Sequence, residues 1–210
     1  MFGTLVTTPA GAGRVAPVGF EWLFLDGEHG TFDRHNVGLA IATVGARAAC
    51  YVRLATRDDS ALADAALDAG AAGVIIPLVN SAAEASRAVG KARGRGAVIV
   101  QAETGEAARH IHEIAGVPGV SAVLIGPNDL AASLGIPGQF EHAEFRRTVD
   151  AIAAGCEAAG VPKGIYGRDA AAVLPHMARG FTVIVAGRDL PVDAARELLQ
   201  LLRTPQPQAS

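Results

Sequence analysis

The sequence predicts an α/β fold, a (β/α)8 or TIM barrel, and three observations carry that expectation. Eight short apolar runs recur along 210 residues. They are continuously apolar instead of alternating, as strands of a parallel sheet covered on both faces are. Between most of them lie Ala-rich, mildly amphipathic stretches long enough to be helical, and the total length sits near the lower limit for eight strand-helix units. An open doubly wound sheet is the competing architecture. It calls for a glycine-rich phosphate loop after an early strand, and neither GxGxxG nor GxxxxGKS/T spacing is present.

Taken in order, the first strand is "GTLVTT" (3–8), and the connection after it, "PAGAGRVAPVG", is too short and too rich in Gly and Pro for a full helix, so the barrel is expected to be trimmed at its start. The second strand is "WLFLD" (22–26) and the third "CYVRL" (50–54), followed by a helix over Asp59–Ala69. "GVIIPL" (73–78) precedes a helix over Ser81–Arg93, and "AVIVQAE" (97–103) precedes one over Glu106–Ala115. "AVLIG" (122–126) leads to a helix over Glu141–Ala159, "PKGIY" (162–166) to one over Asp169–Arg179, and "FTVIVAG" (181–187) is the eighth strand. Gly70, Gly160 and Gly180 end three of the helices, where a left-handed cap favours a residue without a side chain. One barrel domain over 1–203 is expected, with a disordered tail over 204–210 that has no large apolar residue to anchor it.

Composition narrows the function. Half of the residues are hydrophobic, the net charge is -3 and aromatic residues make up 5%, with Lys and Arg scattered; a nucleic-acid partner is not expected. The N-terminus lacks the basic region and apolar core of a signal peptide, and no apolar run approaches membrane length, so a cytoplasmic protein with no membrane partner is expected. Cys50 and Cys156 lack CxxC or zinc-like spacing and read as reduced thiols.

In a barrel of this kind, chemistry gathers at the C-terminal ends of the strands. Asp26, Glu28 and His29 close the second strand, Arg53 the third, Gln101 and Glu103 the fifth, and Asn128 with Asp129 follows the sixth. Glu103 and Asp129 leave neighbouring strands, which places them roughly 5 Å apart. Two carboxylates that close repel each other at neutral pH unless a cation sits between them. Oxygen ligands suit Mg2+ or Mn2+, which leave positions for water and a chelating substrate. A glycosidase acid-base pair would want aromatic platforms for a sugar, and the single tryptophan, Trp22, lies inside a strand. The bland alternative is that the acids cap helices, as Asp129 before "LAASLG" could. His29 at a strand mouth suits a proton shuttle, with Gly27 and Gly30 letting the backbone turn sharply. Arg53 within apolar "YVRL" needs an anionic partner, either a substrate oxyanion or one of these carboxylates.

The segments "FEWLFLDGEHG", "YVRL", "ALDAGAAGVIIPLV", "QAETGEA" and "GVSAVLIGPNDLAASLG", in this order, resemble the class II, metal-dependent pyruvate aldolases of the 4-hydroxy-2-oxoheptanedioate and 2-dehydro-3-deoxyglucarate aldolase type, over Phe20 to Asp189. The resemblance implies a usually homo-oligomeric (β/α)8 barrel, a carbon-carbon lyase that cleaves or forms 4-hydroxy-2-oxo acids from pyruvate and an aldehyde through a metal-stabilised enolate. It implies Glu103 and Asp129 as metal ligands, for Mg2+ or Mn2+ with Co2+ a further fitting ion, His29 as base, and Arg53 at the enolate oxygen. Gln101, Asn128 through its backbone, and Asp129 become pyruvate-binding positions. Asp68 of "LDAG" corresponds to a carboxylate that raises the basicity of the histidine; because it ends a helix, a neighbouring subunit would have to supply it, or Asp26 takes that part. The chain departs from the pattern in its short first connection and in having only "GKARGRG" where members carry a longer loop before the fifth strand. A citrate lyase β-subunit or malyl-CoA lyase-like enzyme shares the carboxylate pair but needs a CoA surface. A non-catalytic metal-binding paralogue is the remaining alternative.

Overall fold

Eight parallel strands close on themselves, each bonded to the next and the eighth to the first. The computed structural model describes residues 1–204; the tail expected over 204–210 lies, Thr204 aside, outside the described residues. In chain order the elements are β1 Phe2–Val6, α1 Pro9–Val15, β2 Trp22–Asp26, α2 Val37–Val44, β3 Ala49–Arg53, α3 Ser60–Asp68, β4 Gly73–Ile76 and α4 Ala82–Ala92. They continue with β5 Ala97–Ala102, α5 Gly105–Arg109, α6 Ile111–Ala115, β6 Val120–Ile125, α7 Pro127–Ser133, α8 Ala143–Ala159, β7 Lys163–Gly167, α9 Ala170–Met177, β8 Val183–Arg188 and α10 Val192–Arg203.

The period of two along each strand divides the core into two layers. Leu5, Trp22, Phe24, Ile75, Ile99, Ala122, Leu124, Val183 and Val185 fill the barrel interior. Their neighbours in sequence, such as Val6, Leu23, Leu25, Val74, Val100 and Val123, pack outward beneath the helices. Both faces are therefore buried, which is why the strands read as unbroken apolar runs. Continuing the inward alternation past the apolar layer reaches Asp26, Arg53 and Gln101.

The helices begin where polar side chains can satisfy their first N–H groups. Thr8, Asp59, Ser81, Thr104 and Asp169 cap α1, α3, α4, α5 and α9 through their side-chain oxygens. Gly70, Gly160 and Gly180 all adopt positive φ, as expected of C-caps. The first connection is fuller than its composition suggests. Pro9 stands in the first turn, where its missing N–H costs nothing, and α1 runs into a 3-10 turn over Ala16–Val18. The helix expected over Glu106–Ala115 is broken at His110 into α5 and α6. Three helices fall outside the expected segments, namely α2, α7 and α10.

Candidate active site

The inward alternation on β2 and β3 brings Asp26 and Arg53 opposite each other in the sheet. Asp26 is fully buried and Arg53 is 5% exposed. They form a bidentate pair, Arg53 Nε donating to Asp26 Oδ1 at 2.9 Å and Nη2 to Oδ2 at 2.8 Å. Asp26 Oδ1 also accepts from the backbone N–H of Glu28 and His29, at 3.0 and 3.1 Å, so one carboxylate fixes both the guanidinium and the loop that bears the histidine. Burial alone would push Asp26 up; the Arg53 hydrogen bonds and charge, helped by the two backbone N–H groups, outweigh it and hold the carboxyl below its ordinary value. Arg53 Nη1 lies 2.8 Å from Glu28 Oε2 and 3.9 Å from Glu103 Oε1. These contacts still leave N–H donors on Nη1 and Nη2 for a substrate oxygen.

The chain bends over Gly27–Gly30, and the reason for glycine there is space. Neither adopts positive φ. A Cβ on Gly30 would sit 2.1 Å from the Asp26 carbonyl oxygen, and one on Gly27 would sit 2.5 Å from that of Arg53, so close backbone approach, not a special turn angle, requires them.

Glu103 follows β5 and is 2% exposed. Its Oε2 accepts from Leu78 N–H at 3.0 Å and its Oε1 from Gln101 Nε2 at 2.8 Å. Burial raises its pKa to about 7; the Leu78 N–H opposes the rise, and the nearby charge of Asp129 adds to it. Glu28 is raised as well, chiefly by burial, with Asp129 again among the contributors. Gly126, between β6 and α7, leaves room for this arrangement: a Cβ there would lie 2.7 Å from Glu103 Oε1. Asp129 stands in the first turn of α7 and is exposed, and it does not act as the cap, since the N-cap is Gly126. Asn128 is exposed beside it.

The residues present fit a hard divalent cation. A buried carboxylate held near neutrality, with the charge of a second carboxylate acting on it, is a site that a cation would relieve. Gln101 Oε1, buried and without a hydrogen-bond partner, adds an unsatisfied oxygen to the same wall. Among the described residues no group of three or more His, Cys, Asp or Glu side chains gathers to hold a metal, so a pair of carboxylates would leave most of an octahedral shell to water and substrate.

His29 is at the same rim, its side chain 55% exposed and Nε2 4.0 Å from Glu28 Oε2. Asp68 is not brought to it. That residue ends α3 with its side chain 69% exposed, paired with Arg95 at 2.6 Å in the connection that enters β5, at the opposite end of the barrel. Nor does Asp26 meet the imidazole, since its contact with His29 is to the backbone N–H. Glu28, one of the carboxylates offered as a partner for Arg53, clamps it beside Asp26. One participant had no part in the sequence reading: the Leu78 backbone N–H holds Glu103, and a backbone donor leaves no trace in side-chain identity. Leu78 reaches that position with φ of 53°, a left-handed geometry rare for leucine.

The chain matches the family described as HpcH/HpaI aldolase/citrate lyase over residues 4–191. It is similar to a hydroxypyruvate/pyruvate aldolase of Paraburkholderia phytofirmans, 31% identical across 93% of this chain and 89% of that relative. It is also 31% identical to a 4-hydroxy-2-oxovalerate aldolase of Rhodococcus jostii, with 83% of this chain and 79% of the relative aligned. Among solved structures, an HpcH/HpaI aldolase/citrate lyase family protein from Burkholderia cenocepacia superposes with a TM-score of 0.86 at 27% identity, covering 97% of this chain and 95% of that one. Family match, sequence identity and backbone thus agree with one another, and the chain belongs to the HpcH/HpaI aldolase/citrate lyase family.

Proposed function

We propose that the protein is a divalent-metal-dependent carbon-carbon lyase, an aldolase that cleaves or forms 4-hydroxy-2-oxo acids from pyruvate and an aldehyde. The observation that carries this reading is the buried Glu103 at the end of β5, fixed by the Leu78 N–H and by Gln101, whose own oxygen is left unsatisfied beside it. The similar relatives named above act, by their names, on small oxo acids of this class. Their names support a citrate lyase-like reading less.

When bound, the metal supplies positive charge that holds the 2-oxo acid and offsets the charge of its enolate; Mg2+ or Mn2+ suits the oxygen donors, and Co2+ is a further candidate. Glu103 and Asp129 would hold the ion. Arg53, locked in direction by Asp26 and Glu28, turns its remaining N–H donors toward the enolate oxygen, a preorganised contact that needs no rearrangement as charge develops. Gln101 and the Asn128 backbone position pyruvate. His29, on the exposed rim, takes or returns the proton on the aldehyde-derived oxygen. We read the enzyme as a cytoplasmic homo-oligomer, because Asp68 could reach a His29 only from a neighbouring subunit. Among the described residues no helix is long and apolar enough to cross a membrane.

The test mixes the protein with pyruvate, Mg2+ or Mn2+ and a small aldehyde in deuterated water. Aldol product and deuterium in the pyruvate methyl group are expected. Absence of both with every divalent ion would overturn the proposal.

A further inference from the structure

Among the described residues the His29 imidazole makes no hydrogen bond, and Glu28 Oε2 stands 4.0 Å from its Nε2. The backbone that carries the ring must therefore set its place. Asp26 Oδ1 accepts from the His29 N–H. Two residues on, the Thr31 N–H donates to the Thr7 carbonyl oxygen at 2.7 Å, and the Thr31 hydroxyl reaches the same oxygen at 3.3 Å. Gly30 lies against Thr7 as well, since a Cβ on it would sit 2.6 Å from the Thr7 carbonyl oxygen and 3.0 Å from the Thr7 Cα. Arg188 adds a weak bond, Nη2 to the His29 carbonyl oxygen at 3.4 Å. The turn that bears the histidine thus rests on Thr7.

Thr7 stands one residue beyond β1, and both of its donors go to Asp189, the residue that follows β8. Asp189 Oδ1 accepts from the Thr7 N–H at 2.8 Å and Oδ2 from the Thr7 hydroxyl at 2.7 Å. The Asp189 N–H donates to the Leu5 carbonyl oxygen at 2.9 Å, so three bonds tie this residue to β1 and its end. Asp189 makes them at φ of 49°, a left-handed geometry that aspartate tolerates better than most residues and that still carries strain. Closing the barrel does not require it, because β1 and β8 are already paired from Phe2 with Ile184 to Leu5 with Arg188. Nor is the carboxylate spent on an ion pair: Arg188 Nε lies 3.7 Å from Oδ2, at an exposed position where such a pair counts for little. What the carboxylate does hold is Thr7, and through it the turn.

We propose that Asp189 is a positioning residue for the reaction, a relay that acts through Thr7 and the Thr31 main chain to keep the Gly27–Gly30 turn, and with it the His29 imidazole, in place for proton transfer. The inference rests on the reading of His29 as the base. It makes the end of the last strand part of a device whose chemical groups come from the second. None of the Asp189 bonds goes to Glu103 or Asp129, so the cation site should not register its loss.

The test measures addition of pyruvate to acetaldehyde with Mn2+ in the wild type, Asp189→Gly and Asp189→Asn. Glycine accepts φ of 49° freely, so that variant removes the carboxylate alone. Asparagine keeps both contacts, its amide oxygen accepting the Thr7 N–H and its NH2 group donating to the Thr7 hydroxyl. Asp189→Gly should lower kcat by about tenfold or more, with KM for pyruvate and Mn2+ affinity changed by less than about twofold, because a small misplacement of a reacting group is costly. Asp189→Asn should keep kcat within about threefold of the wild type. An unchanged kcat in Asp189→Gly, an equal fall in Asp189→Asn, or a loss that sits in pyruvate KM and Mn2+ affinity would overturn the proposal. Should Asp189→Gly not fold, Thr7→Val, which deletes only the hydroxyl donor, carries the test: kcat lowered about threefold or more with Mn2+ affinity kept upholds the relay, and an unchanged kcat ends it. If the wild type gives no product, the aldolase reading fails, and amide hydrogen exchange on the metal-free protein decides the relay by itself. Exchange at the Thr31 N–H that quickens about tenfold in Asp189→Gly or Thr7→Val, and not in Asp189→Asn, upholds it; equal exchange throughout ends it.

Discussion

Glu103 and His29 sit at one rim but have separable parts, and substitutions should separate them. Glu103→Ala or Asp129→Ala is expected to abolish binding of Mn2+ measured by calorimetry, together with activity, whereas His29→Ala should lose turnover and keep metal affinity within a few-fold. Equal metal binding by wild type and both acid variants would remove the assignment. The raised pKa of Glu103 adds a pH signature. Its folded value, about 7, stands above the ordinary 4.5, so the fold favours the protonated form. The metal-free protein should therefore be fully stabilised by this group at low pH and lose on the order of a few kcal/mol as pH rises from about 4.5 through 7. A cation must displace the same proton, so affinity should fall about tenfold per pH unit below 7 and level off above it. Affinity that stays flat between about pH 5 and pH 8 would contradict this. Every one of these side chains was visible in the sequence as a polar residue at the end of an apolar run. What was not visible is the order of their contacts: Asp26 reads as a candidate partner for either the imidazole or Arg53, and geometry commits it to Arg53, because strand register places those two opposite each other.

One connection bears directly on the site, the segment from β4 to α4. Arg57 Nη1 donates to the Leu78 carbonyl at 2.8 Å and pairs with Glu84 at 2.8 Å. Glu84 in turn accepts from Asn80 N–H at 2.7 Å, and Asn80 accepts from the Thr104 hydroxyl at 2.6 Å. The clamp holds Leu78 in its left-handed geometry with its N–H on Glu103. Arg57→Ala, which touches no proposed ligand, should weaken Mn2+ binding by about tenfold. Unchanged affinity in a calorimetric titration would show that the clamp is dispensable. Legibility of the elements follows the physics of their burial. The helix α8 and its glycine cap were readable, since Phe145, Val149, Ile152, Ala153 and Cys156 keep a helical spacing. By contrast α2, "VGLAIATV", is apolar on most sides and rich in β-branched residues, so no period marks it as helix. In α10 the spacing of Ala195, Leu198, Leu199 and Leu202 was legible but followed the last strand, where strand counting stopped. The break at His110 has no sequence breaker, neither Gly nor Pro, to announce it.

At the scale of the molecule, the site exists only because the ring closes: its groups come from β2 and the loop after it, β3, the end of β5 and the first turn of α7, and Asp26, Arg53, Gln101 and Glu103 among them are buried. A cation that binds only the closed barrel should raise its melting temperature. At roughly a hundred times the dissociation constant the gain is about 2.7 kcal/mol, or about 5 to 10 °C for a chain of this size. A chelator should reverse the shift, and Glu103→Ala should show none; an equal shift in that variant would mean that the ion acts elsewhere. The eight-stranded count was legible because parallel strands buried on both faces repeat so plainly, whereas the closeness of Gly126 to Glu103 depends on how neighbouring strands stagger. The connection between α4 and β5, only Arg93 to Gly96, divides the chain into two half-barrels of unequal talent. The leading half carries Asp26, His29 and Arg53, the groups that move or steady charge, and the trailing half carries Gln101, Glu103 and Asp129, the groups that grip an ion. The halves are nonetheless stitched across the seam, since Leu78 of the leading half donates to Glu103 of the trailing one, so fragments nicked there should recover ion uptake and turnover together, and only on reunion.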